Sequence, residues 1–153
     1  QAVLIIGSGT AVVEGIRSLK AARVGGQYLT LSNNASGGFI KLLGDQAQGV
    51  IVSQVMPASL NFGLVKEATQ LAKAKGVDEV SPAMLEGFAS AKVLVEALRR
   101  AGAKPSRASL HQALDNLGRL DLGGLVLDYS PSDHTGLDFA DLSIVGTGGR
   151  FRR

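Results

Sequence analysis

Two clusters of short hydroxyl and amide side chains stand where apolar runs end: Ser8, Gly9 and Thr10, then Ser32, Asn33 and Asn34. Such groups hold small polar molecules by hydrogen bonding. None of them is a group that general acid–base catalysis ordinarily uses. Gly7-Ser8-Gly9 starts like a dinucleotide fingerprint, but Val12 stands where the third Gly belongs. The next apolar run ends in Leu31-Ser32-Asn33, without the acidic residue that would hold ribose hydroxyls. A nucleophile elbow needs Gly two residues to either side of Ser8, and Ile6 and Thr10 occupy those places.

The remaining reactive residue types are sparse. His111 and His134 are the two histidines, and neither has a partner at metal-ligand spacing. Asp121, Asp128, Asp133, Asp138 and Asp141 are scattered near turn signals, which favours turn and cap roles over a catalytic carboxylate pair. With no Cys, disulfides, thiolate metal sites and a cysteine nucleophile are excluded. The expectation is no catalytic residue, no metal and no cofactor.

The elements that must position the two polar clusters follow from periodicity. Val3-Leu4-Ile5-Ile6 reads as a strand buried on both faces. Val12, Val13, Ile16 and Leu19 recur at helical spacing, with Thr10 as N-cap and Gly25-Gly26 as the stop. Gln27 to Ser32 is a second strand, which completes a βαβ unit. A loop over 33–38, a short helix through Phe39 and Leu43 stopped by Gly44, and a third strand over 49–55 closed by Pro57 come next.

Three helices follow. The first buries Leu64, Val65, Ala68, Leu71 and Ala72 and ends at Gly76. The second starts at Ser81-Pro82, buries Leu85, Phe88, Ala91, Val95 and Leu98, and ends at Gly102. The third opens at Pro105-Ser106 and runs through Leu117. Two strands, over 122–130 and 137–145, are separated by a turn from Pro131 to Gly136, and Gly146 to Gly149 forms a terminal turn. The fold class is α/β, with mostly parallel sheet flanked by helices.

If the first two strands are parallel neighbours, Ser8, Gly9, Thr10, Ser32 and Asn33 converge on one sheet edge. Open α/β sheets bind ligands there, facing helix N-termini. Two readings fit the cluster: ordinary cap and turn chemistry, or a site for a small polar ligand.

Composition narrows the partners. Apolar residues make up 45% of 153, which excludes disorder as the main state. Apolar runs of four or five residues fall short of the ~18 that span a bilayer, so no direct membrane insertion is expected. Aromatics are 5% and the net charge is +3, with Arg150, Arg152 and Arg153 crowded at the end. Neither a stacking platform nor a basic stripe for nucleic acid results. The chain opens at Gln1 directly into a strand, which reads as an excerpt of a longer protein.

Several stretches together resemble the C-terminal portion of the type I periplasmic solute-binding proteins, the branched-chain amino acid binding group of ABC importers. They are Ala2 to Gly7 (AVLIIG), Leu42 to Pro57 (LLGDQAQGVIVSQVMP), Glu86 to Gly102 (EGFASAKVLVEALRRAG), Leu120 to His134, and Asp141 to Phe151 (DLSIVGTGGRF). The resemblance covers nearly the whole chain, through order and spacing more than any one motif. It implies a non-catalytic, periplasmic protein of two α/β lobes that closes on solute by a hinge and delivers it to a membrane permease complex. Residues 1–57 and 138–153 would belong to the second lobe, and 58–137 would be the C-terminal half of the first. Ser8, Gly9, Thr10, Ser32 and Asn33 would line the interlobe cleft.

In amino acid binders of this group an aromatic stands in the position of Ser8, and a carboxylate that pairs with the ligand's ammonium stands in that of Ser32. A charged hydrogen bond is worth about 1.5–3 kcal/mol, so its loss costs about one to two decades of amino acid affinity. The implied ligand is a small polar solute, amino acid or carboxylate-like, with Asn33 or Asn34 partly replacing the lost acceptor. Two alternatives are an effector-sensing domain of a regulator on the same fold and a small α/β enzyme.

Overall fold

The apolar run after Ala2 becomes a strand because its β-branched and aliphatic side chains can be covered on alternate faces of a sheet. In the computed structural model, which describes residues 1–57 and 61–152, that strand is the first of eight. In chain order the elements are β1 (Ala2–Leu4), α1 (Gly9–Ala21), β2 (Gln27–Thr30), α2 (Gly37–Leu43), β3 (Ile51–Gln54), α3 (Gly63–Ala74), α4 (Pro82–Ala101) and α5 (Arg107–Asp115). Then come β4 (Gly118–Asp121), β5 (Val126–Ser130), β6 (Asp133–Gly136), β7 (Asp141–Val145) and β8 (Phe151–Arg152). Short 3-10 turns occupy Ser32–Asn34, Gly44–Ala47 and Thr147–Gly149. Position 58, where the sequence reading begins its second segment, and Arg153 lie outside the described residues.

Contacts divide the chain into two compact units. The first comprises Gln1–Pro57, Ser81–Ala83 and Phe139–Arg153. Its sheet has the order β1-β2-β3-β7-β8. The strands expected to end near Ile6, Leu31 and Val55 are parallel neighbours, as the βαβ reading requires. β7 and β8 add antiparallel, so the sheet is mixed. One face is closed by α1 and α2: Val12, Val13 and Ile16 of α1 and Phe39 and Leu43 of α2 bury against Tyr28, Val50, Val52 and Val145.

Two helix boundaries differ from expectation. The N-cap of α1 is Ser8, in extended backbone, and Thr10 is already helical. Ser is preferred to Thr at this position, and the strand's end two residues earlier than expected lets the helix begin after Ser8. The helix also stops before Gly25. The Val24 amide donates to Leu19 O and the Arg23 amide to Lys20 O, with Arg23 itself at φ 55. This is a Schellman closure built on a non-glycine residue. By contrast, α2 has the expected glycine stop, Gly44 at φ 60, and Ser36 caps its start by accepting from the Phe39 amide.

The second unit comprises Ala58–Val80 and Met84–Asp138. Its sheet, β4-β5-β6, is antiparallel throughout. The turn expected over Pro131 to Gly136 contains β6, and β4 lies just past the expected helix end at Leu117. Neither GRLD nor DHTG has the β-branched density that marks a strand. Gly136 (φ 72) suits this hairpin, because its backbone is left-handed and a Cβ there would clash with the edge of the Tyr129 ring and its hydroxyl.

The buried stripe of α4 is Leu85, Ala89, Val93 and Ala97, rotated from the expected Phe88, Ala91 and Val95 line. Alanines let backbones approach closely, so the smaller stripe packs inward. Leu71 of α3 is likewise exposed, while Leu64, Val65 and Ala68 are buried as expected. Gly63 donates its amide to Gly123 O at 2.6 Å, fixing the start of α3 against the loop before β5. Ser106 caps α5 in a reciprocal box with Ser109.

Candidate functional site

The parallel pairing of β1 with β2 puts the expected site residues at the carboxyl ends of neighbouring strands. Ser8 is exposed at the head of α1, and its hydroxyl makes no capping hydrogen bond. Gly9 and Thr10 form the first turn of α1. The first intrahelical donor is the Val12 amide, to Ser8 O, so the amides of Gly9, Thr10 and Ala11 lack a partner within the helix. Ser32, half-buried, opens the 3-10 turn after β2, and its carbonyl accepts from the Ala35 amide.

The two clusters are tied together by amides. Asn33 donates its Nδ2 to Gly7 O at 3.0 Å. Asn34 donates to Thr30 Oγ1 at 2.9 Å and to Gly7 O at 3.4 Å. Thr30 Oγ1 donates to Ile5 O at 3.0 Å. The turn after β1 is thereby held against the turn after β2. What joins the Ser8 and Ser32 clusters is the Gly7 carbonyl shared by Asn33 and Asn34.

Sequence reasoning gave Asn34 only a supporting place, yet it is the buried member, 1% exposed, and its Oδ1 has no hydrogen-bond partner. A Cβ added to Gly9 would lie 3.4 Å from that oxygen, so the unsatisfied acceptor faces the start of α1. Gln54 was missed altogether. It ends β3, the next strand over, is 3% exposed, and neither its Oε1 nor its Nε2 has a partner. The signal was present: a Gln closing an otherwise apolar strand must either be satisfied or wait for a partner. Each unpaired buried group costs about 1–3 kcal/mol, which a bound polar molecule or water would recover.

The edge thus offers hydroxyls, amides and free helix N–H groups. No ionisable side chain stands among Ser8, Gly9, Thr10, Ser32 and Asn33. That chemistry holds a carboxylate or neutral polar group in place and has no means of moving a proton from it.

Other polar features lie elsewhere. In the second unit, Asp115 bridges two histidines, His111 Nδ1 to Oδ2 and His134 Nε2 to Oδ1, each at 3.2 Å. Among the described residues no group of three or more acidic, His or Cys side chains could hold a metal ion. Asp121 and Asp133 accept the amides of Gly124 and Thr135, the turn role expected of them, whereas Asp141 opens β7 and accepts the Leu142 amide within that strand. Thr135 also donates its hydroxyl to Asp133, and these bonds, led by that one, lower the Asp133 pKa from its ordinary 3.8. A cavity of about 470 Å³ is lined by Asp128, Tyr129, Asp133 and Asp138.

Comparison with known proteins bears on this site. The family model described as periplasmic binding protein matches residues 1–140. No curated protein sequence matches the chain. Among solved structures, a possible leucine/isoleucine/valine-binding protein from Rhodopirellula baltica SH 1 is 27% identical with a TM-score of 0.86, over 99% of this chain and 42% of its own. An extracellular ligand-binding receptor from Verminephrobacter eiseniae is 28% identical with a TM-score of 0.84, over 100% and 44%. A substrate-binding periplasmic protein from Ralstonia solanacearum is 32% identical with a TM-score of 0.83, over 99% and 44%. The chain spans less than half the length of each of these structures.

Proposed function

This chain belongs to the periplasmic binding protein family, and from that premise we propose that it is the solute-binding part of an ABC importer component. The ligand is a small polar solute, an amino acid or carboxylate-like molecule. It is held at the sheet edge formed by Ser8, Gly9, Thr10, Ser32 and Asn33, with delivery to a membrane permease complex from the periplasm. Residues 1–57 with 138–153 are segments of one lobe, and residues 58–137 are half of the other.

One observation carries the reading. The carboxyl ends of β1 and β2 bear a non-ionisable polar edge, laced by Asn33 and Asn34 and backed by the unsatisfied Asn34 Oδ1. Binding, not catalysis, is what such an edge supports. The absence of a carboxylate at Ser32 favours carboxylates and amides over solutes that need their ammonium paired here.

A thermal-shift panel of branched-chain amino acids, aliphatic and aromatic carboxylates and amides tests the proposal. A ligand at 100 times its dissociation constant adds about 2.7 kcal/mol. Stabilisation by carboxylates or amides that Ser8→Ala and Ser32→Ala both weaken is the expected result. Stabilisation indifferent to both substitutions overturns the site.

A further inference from the structure

Among the described residues, three buried side-chain atoms lack a hydrogen-bond partner: Asn34 Oδ1, Gln54 Oε1 and Gln54 Nε2. The sheet of the first unit brings them together. Burial alternates along β2 and β3, so Thr30, Val52 and Gln54 all point to the face that α1 and α2 cover. Thr30 stands opposite Val52, which sets Gln54 one step further on, level with the 3-10 turn Ser32–Asn34 that packs against β3. Asn34 lies over the same face, because its Nδ2 donates to Thr30 Oγ1. That Nδ2 also donates to Gly7 O, so the Asn34 carboxamide cannot turn over without losing both bonds. Its Oδ1 is thereby fixed as an acceptor, and it faces the first turn of α1. There the amides of Gly9, Thr10 and Ala11 lack a partner within the helix. Gln54 is held at neither end and can offer its oxygen or its nitrogen.

This set of groups distinguishes head groups by what each can give and take. A carboxylate brings acceptors alone: it suits the α1 amides but sets its charge against Asn34 Oδ1. An ammonium brings donors alone, and it meets the positive end of the α1 dipole. A primary carboxamide brings both in one plane. Its oxygen accepts from the α1 amides or Gln54 Nε2, and its two hydrogens go to Asn34 Oδ1 and Gln54 Oε1. Resting on the solute-binding reading above, we propose that the head of the solute held at this edge is a neutral primary carboxamide. Asn34 and Gln54 select it against the carboxylate and the amine of the same carbon skeleton. A site whose buried polar groups are built to be paired rejects the analogue that leaves them unpaired.

Isovaleramide, isovalerate and isoamylamine share one branched skeleton and differ in the head group. Each is titrated into the isotope-labelled chain, and its dissociation constant is read from the NMR shifts of Gly9, Thr10 and Asn33 and of the Asn34 and Gln54 side-chain amides. Isovaleramide should bind at least about tenfold more tightly than either analogue. Its carboxamide hydrogens should show nuclear Overhauser contacts to the Gln54 side chain. Gln54→Glu keeps the length of the side chain and replaces its donor by an acceptor. In that variant isovaleramide should stay within about threefold of its original affinity, while isovalerate weakens at least about tenfold further. Two results overturn the carboxamide head and leave the solute-binding reading standing. One is equal affinity for isovalerate and isovaleramide in the unaltered chain. The other is a Gln54→Glu change that weakens both equally, as a purely structural role would. Should Gln54→Glu fail to fold, the affinity order and the Overhauser contacts of the unaltered chain decide. Silence of the edge toward all three compounds overturns the solute-binding reading and the carboxamide head with it.

Discussion

Asn34 donates its amide hydrogen to the hydroxyl oxygen of Thr30 at 2.9 Å, while the Thr30 hydroxyl donates to the Ile5 carbonyl. This relay joins the end of β1 to the end of β2 through two buried side chains. It holds the turn after β1 against the turn after β2. Replacing Asn34 by Asp sets an acceptor against Gly7 O and Thr30 Oγ1 and should cost about 1–3 kcal/mol in urea unfolding. Asn34→Leu removes the unsatisfied Oδ1 together with the donor and should cost less. Equal losses for the two variants would mean that the relay is not what holds these turns.

Arg23 occupies left-handed backbone at the closure of α1. A non-glycine residue there carries a penalty of about 1–2 kcal/mol, partly offset by the chain entropy that glycine loses on folding. Arg23→Gly is therefore expected to stabilise by about 0.5 kcal/mol, read as a rise in the unfolding midpoint. A fall would show that the Arg23 side chain contributes more than its backbone costs.

The Ser106–Ser109 box is the whole start of α5: the Ser106 hydroxyl accepts the Ser109 amide at 3.1 Å, and Ser109 Oγ accepts the Ser106 amide at 2.9 Å. Ser106→Ala should cost about 1 kcal/mol. Adding Ser109→Ala should cost less than the sum of the two single changes, because each hydroxyl serves the same helix end. A double-mutant cycle reads this directly.

Asp133 titrates below its ordinary 3.8 because Thr135 donates to its carboxylate from both hydroxyl and amide. A depressed folded-state pKa stabilises above the unfolded value and is lost as pH falls through the folded one. The β5–β6 hairpin should therefore loosen only in acid below 3.8. A carbon-detected NMR titration should give an Asp133 midpoint under that value, and Thr135→Val should raise it. An unmoved midpoint in Thr135→Val would reassign the cause.

Much of this molecule can be read from its residues, and the failures have physical reasons. The three parallel strands are plain because Val3 to Ile6, Gln27 to Ser32 and Gly49 to Val55 are bounded by glycine or proline signals. β4 and β6 are hidden because Arg119, Asp121, Asp133 and His134 are exposed on strands with few β-branched residues. Their pairing comes from β5, not from local preference. On α4 the line Leu85, Ala89, Val93 and Ala97 is buried in place of the line through Phe88, Ala91 and Val95, a choice that close packing makes and hydropathy does not. In the candidate site the hydroxyls were visible as types at strand ends. The burial of Asn34 and Gln54 was not, because it depends on which neighbours the sheet brings together.

The solute is proposed to sit at the edge made by Ser8 to Thr10 and Ser32 to Asn34. Amide chemical-shift mapping of the full chain tests it most directly, titrated with an aliphatic carboxylate, its amide and leucine to millimolar concentration. Saturable shifts are expected at Gly9, Thr10, Asn33 and the side-chain amides of Asn34 and Gln54, abolished by Ser8→Ala with Ser32→Ala. Shifts that saturate instead around Asp128, Tyr129 and Asp138, with that edge silent, would contradict it.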